Sequence, residues 1–255
     1  MEKHTVSASL TDNTKYMNRA LPVKKSFDII ERTLIIGGQN SAFYFIDGFT
    51  KDEIMLKLMD SFLNISADDM PEDATSFSTS CIPYVEVDIL GDFDSIFKNL
   101  LSGVTCLFID GYEAAIAIDC RTYPSRSIEE PDKDKSLRGS RDGFVETIVF
   151  NTALMRRRIR DPHLIMEMYE AGTSTRTDVA LCYMSDRVDR ELLTTIQNKL
   201  EESKSQDLKM SQQSLAEALF QRKWYNPFPK YKFTERPDTA CACLMEGKVI
   251  ILTDT

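Results

Sequence analysis

Histidine is nearly absent from this sequence, which contains two in 255 residues. His4 lies close to the N-terminus, and His163 directly follows a proline. A catalytic triad or a zinc site built on imidazole needs histidine at a matched position, so composition argues against both classes of site. Serine and cysteine nucleophiles are left without a basic partner in any recognisable pattern. The sequence therefore predicts a protein that is not an enzyme.

Paired cysteine motifs are also missing, since no Cys-x-x-Cys occurs. Most of the cysteines lie in apolar runs such as TCLFID and TACACLM, where a free thiol behaves as a small hydrophobic group. This pattern predicts reduced, buried thiols rather than disulfides or a zinc centre, and we expect neither a metal nor a cofactor. The six residues are Cys81, Cys106, Cys120, Cys182, Cys241 and Cys243.

Long apolar runs and an excess of positive charge are absent as well. No segment approaches the roughly 20 apolar residues that span a bilayer, and no secretory signal is visible, so the polypeptide as given is expected to be soluble. The net charge of −9 and the pI near 4.9 argue against nucleic-acid binding. The end in the apolar run IILTDT indicates a piece of a longer protein.

Strand-like and helix-like segments alternate along the chain. This alternation predicts an α/β fold with mainly parallel or mixed sheets. We expect an N-terminal α/β lobe over residues 1–125, in which 1–21 form a weakly ordered arm. An extended linker over 126–142 and a C-terminal α/β lobe over 143–255 follow. In the second lobe we predict a short helix over His163–Ala171, a helix over Asp186–Glu202 and a final strand near Lys248–Leu252.

Two segments share one pattern. Phe43–Phe49 (FYFIDGF) and Cys106–Tyr112 (CLFIDGY) each end an apolar run in Asp-Gly. Asp-Gly is the commonest pair in tight turns, so the likeness is explained either by turn chemistry or by a duplicated unit. Both interpretations stay open at this point.

The basic stretch Arg121–Arg160 is the principal candidate for a site. A helix is predicted from Phe144 to Ile159, with Ser140 or Asp142 as its N-cap. Helical periodicity places Asn151 and Arg158 together at the edge of the apolar face. One interpretation is that both residues tie the helix to nearby carbonyls or a carboxylate. The other is a polar pocket between the lobes, where Arg138 and Arg141 at the helix N-terminus receive an anionic group.

Three long motifs resemble, in order, the GerA family of spore germination proteins. They are EEPDKDKSLRGSRDGFVETIVFNTALMRRRIRDP, GTSTRTDVALCYM and NPFPKYKFTERPDTACACLMEGKVIILTD. The likeness runs from about Ser26 to the end of the chain. FIDGF and DCRTYPSR are closer to a sporulation-protein subfamily than to the nutrient-receptor A subunits. The family motif falls on Arg138, Gly139, Arg141, Gly143, Phe144, Glu146, Asn151, Arg156, Arg158, Glu235, Arg236, Pro237 and Asp238.

The resemblance implies a membrane protein of the spore inner membrane, of which this chain is the domain on the cytosolic, spore-core side. It also implies two α/β lobes separated by a cleft, as in solute-binding proteins. The family's A-type subunits are thought to form oligomeric ion-conducting channels. We therefore expect a role in assembly or gating of such a complex, with partners that are further copies of the full-length protein and other inner-membrane germination proteins.

The alternative is a binding module for a small polar ligand of the germinant type. Its ligand would lie in the cleft, against Arg138, Arg141, Asn151 and Arg158. Other motif residues would then serve structurally between the lobes, and these are Glu146, Arg156, Glu235, Arg236 and Asp238.

Overall fold

The computed structural model describes residues 4–84, 86–123, 142–204, 215–217, 219 and 231–254. Two units are present: Met1–Pro124 with Arg160–Pro162, and Ser125–Ile159 with His163–Thr255. The predicted linker 126–142 lies outside the described residues, except for Asp142. Among the helices of the described ranges, none combines the length and the apolar character needed to cross a bilayer.

The first unit is a five-stranded sheet with helices on both faces. In the sheet the strands lie in the order β1-β2-β4-β5-β3. One face packs on α2 and α3, where Phe43 and Leu107 meet Phe62 and Phe77. The other face packs on α1 and α4. The elements are α1 (Leu10–Ala20), β1 (Ile29–Ile36), β2 (Gln39–Ile46), α2 (Asp52–Leu63), a 3-10 turn (Ala67–Asp69), α3 (Ala74–Ser80), β3 (Val87–Leu90), α4 (Phe93–Leu101), β4 (Thr105–Ile109) and β5 (Ala115–Ile118).

The second unit is a three-stranded sheet, also covered on both faces. The strand order is β6-β7-β8. Helix α6 covers one face through Leu193 and Ile196, which pack on Val179 and Leu181 of β7. Helices α5 and α7 contact β7 and β8. The elements are α5 (Ile148–Arg158), β6 (Leu164–Ala171), β7 (Thr177–Met184), α6 (Arg190–Ser203), α7 (Pro237–Met245) and β8 (Ile250–Thr253).

The α/β composition agrees with the prediction, but the strand directions do not. Every strand pair among the described residues is antiparallel. Short turns such as Gly37-Gly38 can join only antiparallel neighbours, because a parallel pair needs a long crossover. Between β7 and β8 the chain passes through more than one helix and enters the sheet in the opposite direction. Alternation along the sequence predicts the elements but not their directions.

Two local predictions are corrected by packing. The segment predicted as the helix His163–Ala171 is strand β6, paired with β7 along its whole length. Its Leu, Met, Glu and Ala residues favour helices intrinsically, and tertiary pairing overrides this preference. The arm 1–21 contains α1, which is held on the sheet by the fully buried side chains of Met17 and Leu21.

The two units repeat one arrangement. Strands β1, β2 and β4 correspond to β6, β7 and β8, in the same order and with the same directions. The register also corresponds, because Ser41 pairs with Ile109 as Val179 pairs with Thr253. Helices α1 and α5 both have 11 residues, and α4 and α7 both have 9. Helix α2 corresponds to α6 in the same scheme.

Backbone hydrogen bonds outside the helices and strands repeat in the same positions. This agreement is independent of side-chain identity, so it supports a true structural repeat. The pairs are Val6 N–H to Gly91 O and Phe144 N–H to Glu235 O; Asp47 N–H to Asp28 O and Ser185 N–H to His163 O; and Asp110 N–H to Asn40 O and Asp254 N–H to Asp178 O.

The segments FYFIDGF and CLFIDGY do not mark this repeat. They lie on β2 and β4, which are hydrogen-bonded neighbours in one sheet of the first unit. Their likeness is therefore explained by turn chemistry, and the repeat relates β4 to β8 instead.

The repeat includes the start of a helix in each unit. The amide of Asn13 closes a ring with Ser7, donating to its carbonyl at 2.7 Å and accepting from its N–H at 3.0 Å. Asn151 does the same with Val145, at 2.6 and 2.8 Å. This bond holds Val145 outside the helix, so α5 begins at Ile148 rather than at the predicted Phe144.

An aspartate that follows a strand, β4 or β8, completes each helix start. The Leu10 N–H donates to Oδ1 of Asp110 at 2.8 Å. The Ile148 N–H donates to Oδ1 of Asp254 at 3.0 Å. A helix leaves its first N–H groups without internal partners, and these carboxylates satisfy one of them and favour the positive end of the helix dipole. Each helix is thereby fastened to the sheet it covers.

We predict that Asn13→Ala and Asn151→Ala each destabilise their own unit by about 1–3 kcal/mol, because each leaves a backbone N–H and a carbonyl unpaired. Urea unfolding of the two variants measures this loss. Asn64→Ala is the matched control, since Asn64 is exposed and donates to the carbonyl and the carboxylate of Asp60 at the solvent-exposed end of α2; we expect a change within about 0.5 kcal/mol. Equal losses in all three variants would contradict the prediction.

Candidate functional site

The sequence-predicted site residues of the described part all lie in the second unit, around α5 and the start of α7. Arg138 and Arg141 lie outside the described residues. Asn151 is buried and is occupied by its bonds to Val145. Glu146 and Glu235 are exposed. Glu235 takes part through its backbone carbonyl, which accepts from the Phe144 N–H at 2.8 Å.

Two ion pairs form what we call the arginine–aspartate cluster: Asp142, Arg158, Arg236 and Asp238. Arg158 Nη2 lies 2.5 Å from Asp142 Oδ2, and its Nη1 donates to the Leu154 carbonyl at 3.1 Å. Arg236 donates two hydrogen bonds to Asp238, from Nε to Oδ1 at 3.0 Å and from Nη2 to Oδ2 at 2.6 Å. Such two-point contacts are the strong form of the arginine–carboxylate interaction.

The cluster acts electrostatically as one group. A hydrogen bond from Arg236 lowers the pKa of Asp238, and the positive charge of Arg158 lowers it further. At Asp142, burial opposes ionisation, but the hydrogen bond from Arg158 and the charges of Arg158 and Arg157 bring its pKa below the ordinary value. Both aspartates are therefore ionised at neutral pH.

The cluster also matches the dipoles of two packed helices. Arg158 is the last residue of α5, where the negative end of the helix dipole favours a cation. Asp238 lies in the first turn of α7, where an anion is favoured, and it accepts from the Thr239 N–H at 2.8 Å. The Cys241 Sγ of α7 lies 3.9 Å from the Met155 carbonyl of α5, and burial raises the pKa of this thiol to about 11. Cys241 is therefore a packed thiol rather than a nucleophile.

Arg156 has a different role from Arg158. It is completely buried and donates from Nη2 to the Leu164 carbonyl at 2.9 Å, which ties α5 to the start of β6. The helical periodicity of the sequence placed it only at the edge of the apolar face. A fully buried guanidinium is costly to desolvate, so its several donors have to be matched by the fold around it.

Comparison of the two units separates residues that the fold needs from residues that it does not. Asn151 has a counterpart in Asn13, so its role is structural in both units. Arg158 and Arg236 have no basic counterparts: the equivalent residues are Ala20 and Asp92. Asp92 is an ordinary N-cap that accepts from the Ser95 N–H, whereas Arg236 stands at the same position of α7 and cannot accept. The arginine–aspartate cluster is therefore an addition to the repeated fold.

Sequence patterns do not reveal the roles of two residues here. Asp142 is predicted only as a possible helix N-cap, but it is the partner of Arg158. Asp254 belongs to the final run IILTDT, for which no site role is predicted, but it caps α5. The signal that could have identified Asp254 is its position after an apolar strand, which it shares with Asp110. Among the described residues no group of three or more histidine, cysteine or carboxylate side chains is arranged to hold a metal ion.

A family model described as "Bacillus/Clostridium GerA spore germination protein" matches residues 15–255. Stage V sporulation protein AF of Bacillus subtilis (strain 168) is 33% identical over 255 residues, which cover all of this chain and 52% of that protein. The uncharacterized membrane protein YfkQ of the same organism is 30% identical over 251 residues, 98% of this chain and 48% of that protein. The chain thus spans about half the length of these curated relatives.

The fold is similar to a solved structure, the N-terminal domain of the A subunit of the Bacillus megaterium spore germinant receptor GerK3. The TM-score is 0.73 at 22% sequence identity, and the match covers 100% of this chain and 94% of that one. At this identity the likeness concerns the fold.

We predict that Arg156→Met, which keeps much of the side-chain volume, destabilises the second unit by about 1–3 kcal/mol, because the Leu164 carbonyl loses a donor. Urea unfolding measures the loss. Arg176→Met is the matched control: Arg176 is an exposed arginine whose ion pair with Glu170 is open to solvent, and such pairs contribute about 0–1 kcal/mol. A stability for Arg156→Met equal to that of the control would contradict the prediction.

The pH dependence of the Arg236–Asp238 pair is a separate prediction. Because the folded pKa of Asp238 is depressed, the pair's stabilisation is complete above the ordinary aspartate value of 3.8 and is lost as pH falls through the lower folded value. Asp238→Asn should therefore be less stable than the parent at pH 6, and the difference should shrink below pH 3.8. Urea unfolding at a series of pH values tests this. A difference that is constant with pH would contradict it.

Proposed function

Because this chain belongs to the Bacillus/Clostridium GerA family of spore germination proteins, we propose that it is the N-terminal domain of a germination protein of the spore inner membrane, on the cytosolic side. Its role is non-enzymatic, in assembly or gating of an ion-conducting germination complex. The partners are further copies of the full-length protein and other inner-membrane germination proteins. The inter-lobe cleft implied by the resemblance stays a prediction.

Several comparisons support this proposal. One relative that is matched over nearly the whole chain is named a membrane protein, and another is named for sporulation. The solved structure of similar fold is itself an N-terminal domain of a germinant receptor subunit. A domain that spans half of its relatives leaves the other half of those proteins for a different task, which fits a domain that works on a membrane part.

The pairing within the arginine–aspartate cluster favours a role in assembly over catalysis or ligand binding. Both arginines already hold a carboxylate, and both carboxylates are charged. An anionic ligand would have to displace Asp142 or Asp238 from its arginine. The charge of Arg158 also lowers the pKa of Asp238, and α5 packs on α7 where the Cys241 thiol meets the Met155 carbonyl, which supports a stiff element suited to transmit a movement.

A small anionic ligand is the second candidate, favoured by the arginines that the repeated fold does not require. In this second candidate Arg138, Arg141 and Arg158 contact the ligand. Asn151 does not contact it, because its side chain is already bonded to Val145. The residues Glu146, Arg156, Glu235, Arg236 and Asp238 keep the structural role that the resemblance suggested for them.

The two candidates are tested together with charge variants of the full-length protein in spores. We predict that Arg158→Asp lowers the germination rate and the yield of crosslinked oligomer, because it places two carboxylates face to face. The double variant Arg158→Asp with Asp142→Arg should restore both readouts in large part, since it recreates the pair with opposite direction.

Arg176→Asp serves as the control, because this exposed arginine lies in the same unit, and we expect the parental rate. Loss of function in the single variant without recovery in the double variant would count against the assembly role. Isothermal titration of the domain with amino acids, sugars and small anions tests the ligand role: binding at millimolar concentration or tighter that Arg158→Asp abolishes would favour it over assembly.

A further inference from the structure

Strand β8 occupies the place of β4 but lacks the neighbour that β4 has. In the first unit β4 pairs on one side with β2 and on the other with β5, which follows it after the turn at Asp110. In the second unit β8 pairs with β7. Among the described residues no strand pairs with its other edge. The repeat therefore contains one strand position that the described residues leave open.

The backbone groups at this edge can be assigned. The Asp254 N–H donates to the Asp178 carbonyl of β7, as the Asp110 N–H donates to the Asn40 carbonyl of β2. In an antiparallel strand, successive residues direct their N–H and C=O groups to opposite sides. Ile251 and Thr253 therefore direct theirs away from β7. In β4 the residue equivalent to Ile251 is Leu107, which is paired with Ile116 of β5.

The side chains of β8 are mainly apolar and uncharged, as in a strand that has neighbours on both sides. The five residues of β4 are all buried, whereas in β8 only Leu252 is fully buried although the run Val249–Thr253 is equally apolar. Free sheet edges are usually protected by charges or proline. The other three edge strands carry such charges: β1 has Glu31 and Arg32, β3 has Asp88, and β6 has Glu167 and Glu170. Strand β8 has none.

We propose that the outer edge of β8 receives a further antiparallel strand from the same polypeptide, in the register of β4 with β5. The occupant turns after Asp254 as the chain turns after Asp110, and it is apolar on both faces like the AIAI of β5. The relatives are about twice as long as this chain, so proteins of this family have polypeptide for such a strand. The inference rests on the repeat and on edge chemistry, and it is independent of the proposed role in germination.

Amide hydrogen exchange tests the proposal in the natural full-length protein and in the chain of residues 1–255. The Ile251 N–H should exchange about fivefold more slowly or slower still in the full-length protein, since it gains a hydrogen-bond partner there. The outward N–H groups of the charged edge strand β6 are the internal control and should exchange equally in both. Equal exchange of Ile251 in both proteins would overturn the proposal.

A grafted strand gives a second measurement. Residues 111–118 of this chain, joined directly after Asp254, should protect the Ile251 N–H, whereas the same graft carrying Ile116→Asp and Ile118→Asp should not. Protection by both grafts would contradict a register-specific strand. Protection of the 1–255 chain that rises with protein concentration would assign the edge to a second copy instead, and would also overturn the proposal.

Discussion

The structure depends on one constraint: the polar backbone at a buried helix start must find partners. Each unit meets it with the same pair of side chains. An asparagine in the helix closes a ring with the segment before it, and an aspartate that follows a strand of the sheet caps the first helical N–H. A helix so fastened has its position on the sheet determined, and the central strands can then be apolar on both faces because helices cover them.

Because both units contain this helix start, their comparison distinguishes residues that the fold needs from residues that it does not. The resemblance places Asn151 in a family motif, and taken alone it suits a binding site, but Asn13 makes the same two bonds where no arginine cluster exists. The residues that remain unexplained by the fold are the arginines at the ends of α5 and α7 and their aspartates. Arg158 ends α5 and Asp238 lies in the first turn of α7, where the helix dipoles favour these charges. The charge of Arg158 also lowers the pKa of Asp238, so the two helix ends interact electrostatically.

Much of the fold was predictable where local chemistry and tertiary packing agree. The Asp110-Gly111 turn, the helix predicted over Asp186–Glu202 and the strand predicted near Lys248–Leu252 all lie close to where sequence patterns place them. Prediction failed where they disagree. LIMEMYEA has the composition of a helix, yet it is a strand because β7 offers a full ladder of partners. In α6 the i, i+4 spacing of Leu192, Ile196 and Leu200 predicts Leu192 as a core residue. Leu193 is buried instead and Leu192 is exposed, because the sheet determines which side of the helix faces it.

The sequence by itself determined the scarcity of histidine, the α/β composition, the family, and Asn151 and Arg158 as polar residues beside an apolar helix face. Only the tertiary structure decided the antiparallel strand directions, the partners Asp142 and Asp254, and the repeat of the two units. The physical reason is distance along the chain. Caps, turns and helix periodicity act over a few residues, whereas Asp254 reaches Ile148 across 106 positions. No short-range pattern can identify such a contact, and the repeat of the two units is visible only in the backbone arrangement and side-chain bonds of the folded chain.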